Sequence, residues 1–319
     1  MQVEDCDVTI DSWALDDNLV LGQLAELADH QGLPAAMNTM AVNMLSASDD
    51  VLLAATFKDS GRYVAAMCAV AMQKEGVTLA GLRELCAGFG LVSSGRVYAL
   101  LQYLRYLGFV DFWREQSLEG RTCYAVSTRL LDSWKNHLNA ALLATGELDC
   151  VGREAAGWLG NTEFFSMFCS VQMENLRVFS QHTDVASPLF RVFLNRHGGS
   201  QILWWLLAEC GIDNTRAVVV SAASLGRRFG ISRMHVSRLL RDAEAEQLLR
   251  RNDAGALSFT STAFSALRVF YAWQIGLLLV SIARTRHQLR QRNTSSNDLS
   301  NGWRAMQADC DQGLLFIAK

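Results

Sequence analysis

The hydrophobic positions of this chain recur at helical spacing over most of its length. Trp13, Leu15, Leu19, Leu24 and Leu27 form an amphipathic pattern over 11–31, which Gly32-Leu33-Pro34 interrupts. Helical periodicity resumes through 35–57, Asp59-Ser60-Gly61 punctuates it, and 62–74 forms a further amphipathic helix. Helical spacing continues through a connecting stretch, roughly 129–200, which includes Phe164–Phe168 and the turn Asn195–Ser200. Four short runs depart from it and read as strands: 109–114, 122–126, 248–251 and 256–260. The fold expected is mainly α with small β-hairpins. Only Pro34 and Pro188 interrupt the chain's backbone donors, which suits that expectation.

Two stretches look like copies of one unit. Leu85, Phe89-Gly90-Leu91, Ser93, Val97 and Leu100-Leu101 match Leu225, Phe229-Gly230-Ile231, Ser232, Val236 and Leu239-Leu240, with Val92 as one extra residue. Downstream, Phe109-Val110 matches Leu248-Leu249. The expected organisation is an acidic helical region at 1–60, a first unit at 61–135 and a helical connector at 136–199. A second unit follows at 200–262, then a C-terminal helix and polar tail at 263–319, with Arg290–Asn301 exposed.

The second copy has the clearer local physics. Leu225 and Phe229 face inward at i, i+4, and Gly230 supplies a turn that needs left-handed dihedrals. Ile231 plugs the space between two helices, and Ser232 stands where an N-cap belongs. Val236, Leu239, Leu240 and Ala243 form the buried stripe of the next helix. Its other face carries Arg233, Ser237, Arg238 and Arg241, and Arg227 and Arg228 precede it. Leu248–Arg251 and Ala256–Thr260, joined by Asn252-Asp253-Ala254-Gly255, read as a hairpin wing bearing Arg250 and Arg251.

Charge sharpens this reading. The whole chain carries −3, but through residue 60 there are eleven acids against one base (Lys58), leaving about +7 on the remainder. The window 225–251 holds seven arginines against three acids. The planar guanidinium fork can grip guanine edges and phosphate oxygens, so an arginine-rich helix face points to nucleic acid.

The run Gly230-Ile231-Ser232-Arg233-Met234-His235-Val236-Ser237-Arg238-Leu239-Leu240 is similar to the recognition-helix region of the catabolite activator protein family and of other bacterial winged-helix repressors, which carry G-x-S-R-x-x-V-x-R-x-L there. The resemblance covers about thirty residues and implies base contact by Arg233 and Arg238 through the major groove. Activator relatives have an acidic residue where Met234 stands, so their base preference does not transfer. No cyclic-nucleotide β-roll accompanies the motif. Ser93–Val110 resembles MarR-type regulators, with Leu104 and Leu107 continuing its helix to Gly108. That copy offers only Ser94, Arg96, Gln102 and Arg105, with Tyr98 beside them, so its residues leave DNA contact and protein contact equally open.

Other chemistry is not signalled. The spacing around Gly88, Gly90 and Gly95 fits neither G-x-G-x-x-G nor a P-loop. The six histidines are isolated, and neither H-E-x-x-H nor a G-x-S-x-G elbow occurs. No enzyme, metal or cofactor is therefore expected. None of the eight cysteines forms a C-x-x-C pair, and several sit in apolar helical patterns, as reduced cytoplasmic cysteines do. Met1–Asp7 is acidic and does not resemble a signal peptide. Val269–Ala283, interrupted by Gln274, is shorter than a membrane span and reads as a buried or subunit-interface helix, so no membrane partner is expected. Trp204-Trp205, Trp158, Phe164-Phe165 and Phe168 could line an effector pocket, although such residues are more often core, and no effector is assigned.

The reading is a cytoplasmic, sequence-specific transcriptional regulator with two tandem winged helix-turn-helix units. Its partner is double-stranded DNA, and the region Phe264–Arg284 is available for a homodimer. The DNA-facing candidates are Arg227, Arg228, Ser232, Arg233, Met234, His235, Ser237, Arg238, Arg241, Arg250 and Arg251, with Arg96 from the first unit. The alternatives are a replication initiator, or a chromosome-organising protein whose winged helices partly contact other proteins.

Overall fold

The computed structural model describes residues 17–113, 122–181, 184 and 186–314, with side chains described from Val20 to Arg292 within those ranges. The acidic Met1–Asp7 segment and the Ser117–Gly120 wing tip lie outside the described residues.

Local capping sets the first helices. Helix α1 (Asp17–Asp29) is followed by α2 (Leu33–Ala47), which carries Pro34 in its first turn, where a missing N–H leaves no partner unsatisfied. The single helical run read over 35–57 is in fact two helices. Asp50 adopts extended backbone and its carboxylate accepts from the Leu52 and Leu53 amides, starting α3 (Val51–Thr56) afresh. Asp59 does the same for α4 (Ser60–Ala71).

A short strand, β1 (Val77–Thr78), leads into α5 (Leu79–Ala87), α6 (Ser94–Tyr106), β2 (Val110–Phe112) and β3 (Cys123–Val126). Then come α7 (Thr128–Thr145), α8 (Val151–Trp158), α9 (Thr162–Ser180), a π-helical turn at Phe190–Leu194, and α10 (Gly199–Cys210). The chain continues through α11 (Ala222–Phe229), α12 (Arg233–Ala245), β4 (Leu249–Arg251), β5 (Leu257–Phe259) and α13 (Ser261–Leu314).

The two stretches that resemble each other in sequence have the same order of elements. In the first, β1 and β2 flank β3 in an antiparallel sheet, with Val77 opposite Tyr124 and Val110 opposite Val126. In the second, β4 pairs with β5, and Val218 bridges to Leu257 on the other side of β5. Neither third strand, β1 nor Val218, was expected, because each is too short to show alternation. The turns also correspond. Gly90 and Gly230 have φ of 65° and 61°, and Ser93 and Ser232 cap the following helices through the amides of Arg96 and His235. Both of these helices end on the same geometry. Gly108 and Gln247 have positive φ, and the next amide, Phe109 or Leu248, donates back to Leu104 or Ala243 at 2.9 and 2.8 Å.

Between and around these stretches lies one continuous core. Helix α2 packs against α7 and α10, and α13 packs against α1 and α9. Leu267, Tyr271, Ala272 and Ile275 of α13, all within the segment offered for dimerisation, are buried inside the chain itself. Arg268 donates to the Ala28 carbonyl at 3.0 Å, placing a cation at the C-terminal end of α1. Deeper along α13, Ser281 accepts from Asn175 of α9 at 2.9 Å, and Arg284 donates to the same asparagine.

Helix α13 continues well past its apolar segment. Its backbone remains helical to Leu314, where a polar tail was expected from Arg290. The segment lacks proline, so nothing in it removes a backbone donor from the helix. By length and composition alone Ser261–Arg292 could cross a membrane, one 18-residue window of it having a mean hydropathy of 1.6, and 61% of that window is buried in the protein. Cys68, Cys86, Cys123, Cys169 and Cys210 are buried free thiols, and Cys150 is exposed.

An aromatic knot joins α3, α4, α7 and α10. The His137 ring lies 4.9 Å from that of Phe57 and 5.0 Å from that of Trp134, and Trp204 meets Phe57 edge-on at 5.4 Å. The Tyr63 hydroxyl bonds His137 Nε2 at 3.2 Å. Burial lowers the pKa of His137 from 6.5 to about 3, so the fold holds it neutral. With the folded value below the unfolded one, the stabilisation is complete above pH 6.5 and is lost as pH falls toward 3. His137→Phe should therefore flatten the fall in urea midpoint between pH 7 and 4, removing up to about 1.4 kcal/mol per pH unit of slope. Parallel curves for the two proteins would refute this role.

Candidate nucleic-acid interface

The geometry around α11 and α12 follows from a few local contacts. Ser221 caps α11 by accepting from the Ser224 amide at 3.2 Å. Leu225 and Phe229 are buried at i, i+4, as their spacing requires. Gly230 turns the chain in the left-handed region (φ 61°, ψ 40°), and the Ile231 amide donates to the Gly226 carbonyl at 3.0 Å. Gly226 matters for a separate reason. A Cβ there would stand 2.8 Å from the Ile231 carbonyl oxygen and 3.3 Å from the Arg233 nitrogen, so only glycine lets α11 approach the turn this closely. Ser232 then caps α12 through the His235 amide at 3.1 Å.

Val236, Leu239, Leu240 and Ala243 are the buried residues of α12, the stripe that its periodicity predicts. At 3.6 residues per turn, Met234, Arg238 and Arg241 stand on the opposite side. Arg233, Arg238 and Arg241 are exposed, and Met234 is 61% exposed. Ser237 is half-buried at the edge of this face.

The pairing of charges on α12 is one-sided. Its region has three acids, and each is held by an arginine. Arg196 binds Asp242, Arg251 binds Glu244 at 2.5 Å, and Arg191 binds Glu246 at 2.8 Å. Among the described residues, Arg227, Arg233, Arg238 and Arg241 form no ion pair. The exposed face of α12 therefore keeps its positive charge, and the acids that would neutralise it are engaged elsewhere.

The remaining candidates divide. Arg227 and Arg228 are exposed on the last turn of α11, with the Arg228 guanidinium over the Phe229 ring at 5.5 Å. Arg250 is exposed on β4 and donates to Ser258 at 3.2 Å. Arg251 is tied down by Glu244 and by the Gly255 carbonyl at 2.8 Å. His235 is half-buried and its Nε2 donates to the His197 carbonyl at 2.8 Å, which makes it a fixed strut. Arg96 stands apart from this group. It forms a 2.7 Å ion pair with Asp59, whose side chain is nearly buried, and so leaves α6 with little free charge. Tyr98 and Tyr106 are 52% and 85% exposed on that helix.

Lys58 was not anticipated. Its ammonium donates to the Phe229 carbonyl and to Gln201 Oε1 at 3.3 Å, and its own carbonyl accepts from the Gly198 amide at 2.7 Å. Burial, with Arg62 nearby, lowers its pKa. A cation here complements the C-terminal end of α11 and fixes the turn. The only clue in the sequence was that Lys58 is the single base in an acidic stretch.

No family model, no curated protein and no solved structure matches this chain.

Two substitutions test the local geometry by denaturant unfolding. Ser232→Ala should cost about 1 kcal/mol through loss of the cap. Gly226→Ala should cost more, roughly 1–3 kcal/mol, because the carbonyl it meets belongs to backbone. A Gly226→Ala protein as stable as the parent would show that α11 and the turn are not held as described.

Proposed function

We propose that the chain is a sequence-specific DNA-binding transcriptional regulator with two tandem winged helix-turn-helix units, and that α12 is its recognition helix. The observation that carries this reading is the exposed arginine face of α12, whose neighbouring acids are all paired away from it. Supporting it are the hairpin β4–β5 beside that helix and the likeness of Gly230–Leu240 to known recognition helices.

In this reading Arg233 and Arg238 contact base edges in the major groove, with Met234, Ser237 and Arg241 beside them. Arg227, Arg228 and Arg250 bind phosphate. Ser232 and His235 shape the helix start, and Arg251 holds the wing to α12. The first unit takes a different role. With Arg96 bound to Asp59 and tyrosines exposed on α6, its surface favours protein contact, as in the initiator and chromosome-organising alternatives.

Binding of the full chain to duplex DNA, measured by fluorescence anisotropy, should weaken steeply with salt. Arg250→Ala should lower the salt slope by about 1 across all sequences, whereas Arg233→Ala or Arg238→Ala should cost about 1–3 kcal/mol on selected sites and relax their specificity. Absence of binding at low salt, or selectivity that survives loss of both arginines, would overturn the assignment.

A further inference from the structure

A cavity of about 1000 Å³ lies where the two units and α13 meet. Its inner wall comes from α2, α7 and α9, and its mouth lies among Asp184, Gln247, Arg250, Thr262 and Val269, all exposed. The volume is at the upper end of the roughly 300–1,000 Å³ usual for sites of drug-sized ligands. Aromatic rings dominate the wall, including Phe57, Phe179, Phe190, Trp204 and Trp273, and pliable methionines such as Met40 and Met67 complete it. Of the residues that the sequence offered as a pocket lining, Trp204 reaches this cavity. Phe165 and Phe168 are core, and Trp158 and Phe164 border a separate, smaller recess.

Two polar side chains on this wall are more than nine-tenths buried and incompletely bonded. Gln172 leaves its Oε1 without a partner, and His137 leaves its Nδ1 without one. Buried polar atoms are nearly always satisfied in proteins, so two such atoms on one apolar wall suggest a bonding partner from outside the chain. The charged groups on the wall are Asp59, Asp184, Glu244 and Glu246 against Arg250. Asp59, Glu244 and Glu246 have arginine partners, and the cation of the lining, Arg250, stands at the exposed mouth and bonds Ser258, so the inner wall offers an anion no cation.

We propose that this cavity binds a neutral, largely aromatic small molecule that carries a hydrogen-bond donor for Gln172. The assignment does not depend on DNA binding. Glu244 and Glu246, the carboxylates that hold Arg251 and Arg191, belong to the same wall, so the occupant would touch the base of the wing.

The test uses the full chain and three fluorescent probes. N-phenyl-1-naphthylamine is neutral and has one N–H donor. Anilinonaphthalene sulfonate has the same aromatic core with an added negative charge, and diphenylhexatriene has no donor. The neutral amine should bind saturably at one per chain, and the sulfonate about tenfold more weakly, because its charge must be desolvated against an inner wall that carries no cation. Gln172→Leu, which preserves volume, should weaken the amine about fivefold and leave diphenylhexatriene unchanged. Ala141→Trp, which fills the inner end, should abolish binding of both neutral probes if circular dichroism shows it folded. If it does not fold, Gln172→Leu decides. Absence of saturable binding, equal affinity for the sulfonate, an amine affinity indifferent to Gln172→Leu, or binding retained by folded Ala141→Trp would each overturn the proposal.

Discussion

The presentation of α12 depends on one ammonium group. Lys58 Nζ, partly withdrawn from water, donates to the Phe229 carbonyl that ends α11, and its backbone carbonyl accepts from Gly198 ahead of α10. The bond spans 171 positions of sequence, so the turn at Gly230 is positioned by the N-terminal half of the molecule as well as by its own hairpin of helices. A carbonyl at a helix C-terminus carries partial negative charge, and a desolvated cation is its strongest partner. Asp59, the next residue, caps α4 and holds Arg96. Two adjacent side chains thus reach one into each unit, Lys58 to the end of α11 and Asp59 to the start of α6.

The units differ in surface despite a shared order of elements. In the second, acids are drawn toward Arg191, Arg196 and Arg251, and the arginines of α12 stay free. In the first, the arginine nearest the start of α6 is bound, and Arg105 bonds Gln102 and lies over the Tyr124 ring. Similar turns and caps therefore carry unlike surface charge, since capping uses backbone amides whereas surface charge is set by long side chains and their neighbours.

Local rules made most of the second unit legible. Ser232, Gly230 and the stripe Val236–Ala243 report their roles through near-neighbour geometry, and the hairpin through Asn252–Gly255. Contacts between residues distant in sequence were not legible. Nothing near Lys58 signals Phe229, nothing near Arg96 distinguishes a free cation from a paired one, and His235 gives no sign of the His197 carbonyl. The strand β1 and the bridge at Val218 are too short for a period, and Asp50 was hidden inside a run whose hydrophobic spacing continued across it. The large cavity is invisible for a related reason: its aromatic wall is assembled from many elements, each of which reads alone as ordinary core.

One consequence concerns handedness of engagement. When a protein presents two faces by pairing with an identical twin, a two-fold axis makes those faces interchangeable, and the partner must be palindromic to satisfy both. Here the repeated order of elements lies on one chain, and the copies carry unlike surfaces, free arginines on α12 and exposed tyrosines on α6. No symmetry operation exchanges them. A partner that met both faces of one chain would therefore meet them in a fixed order.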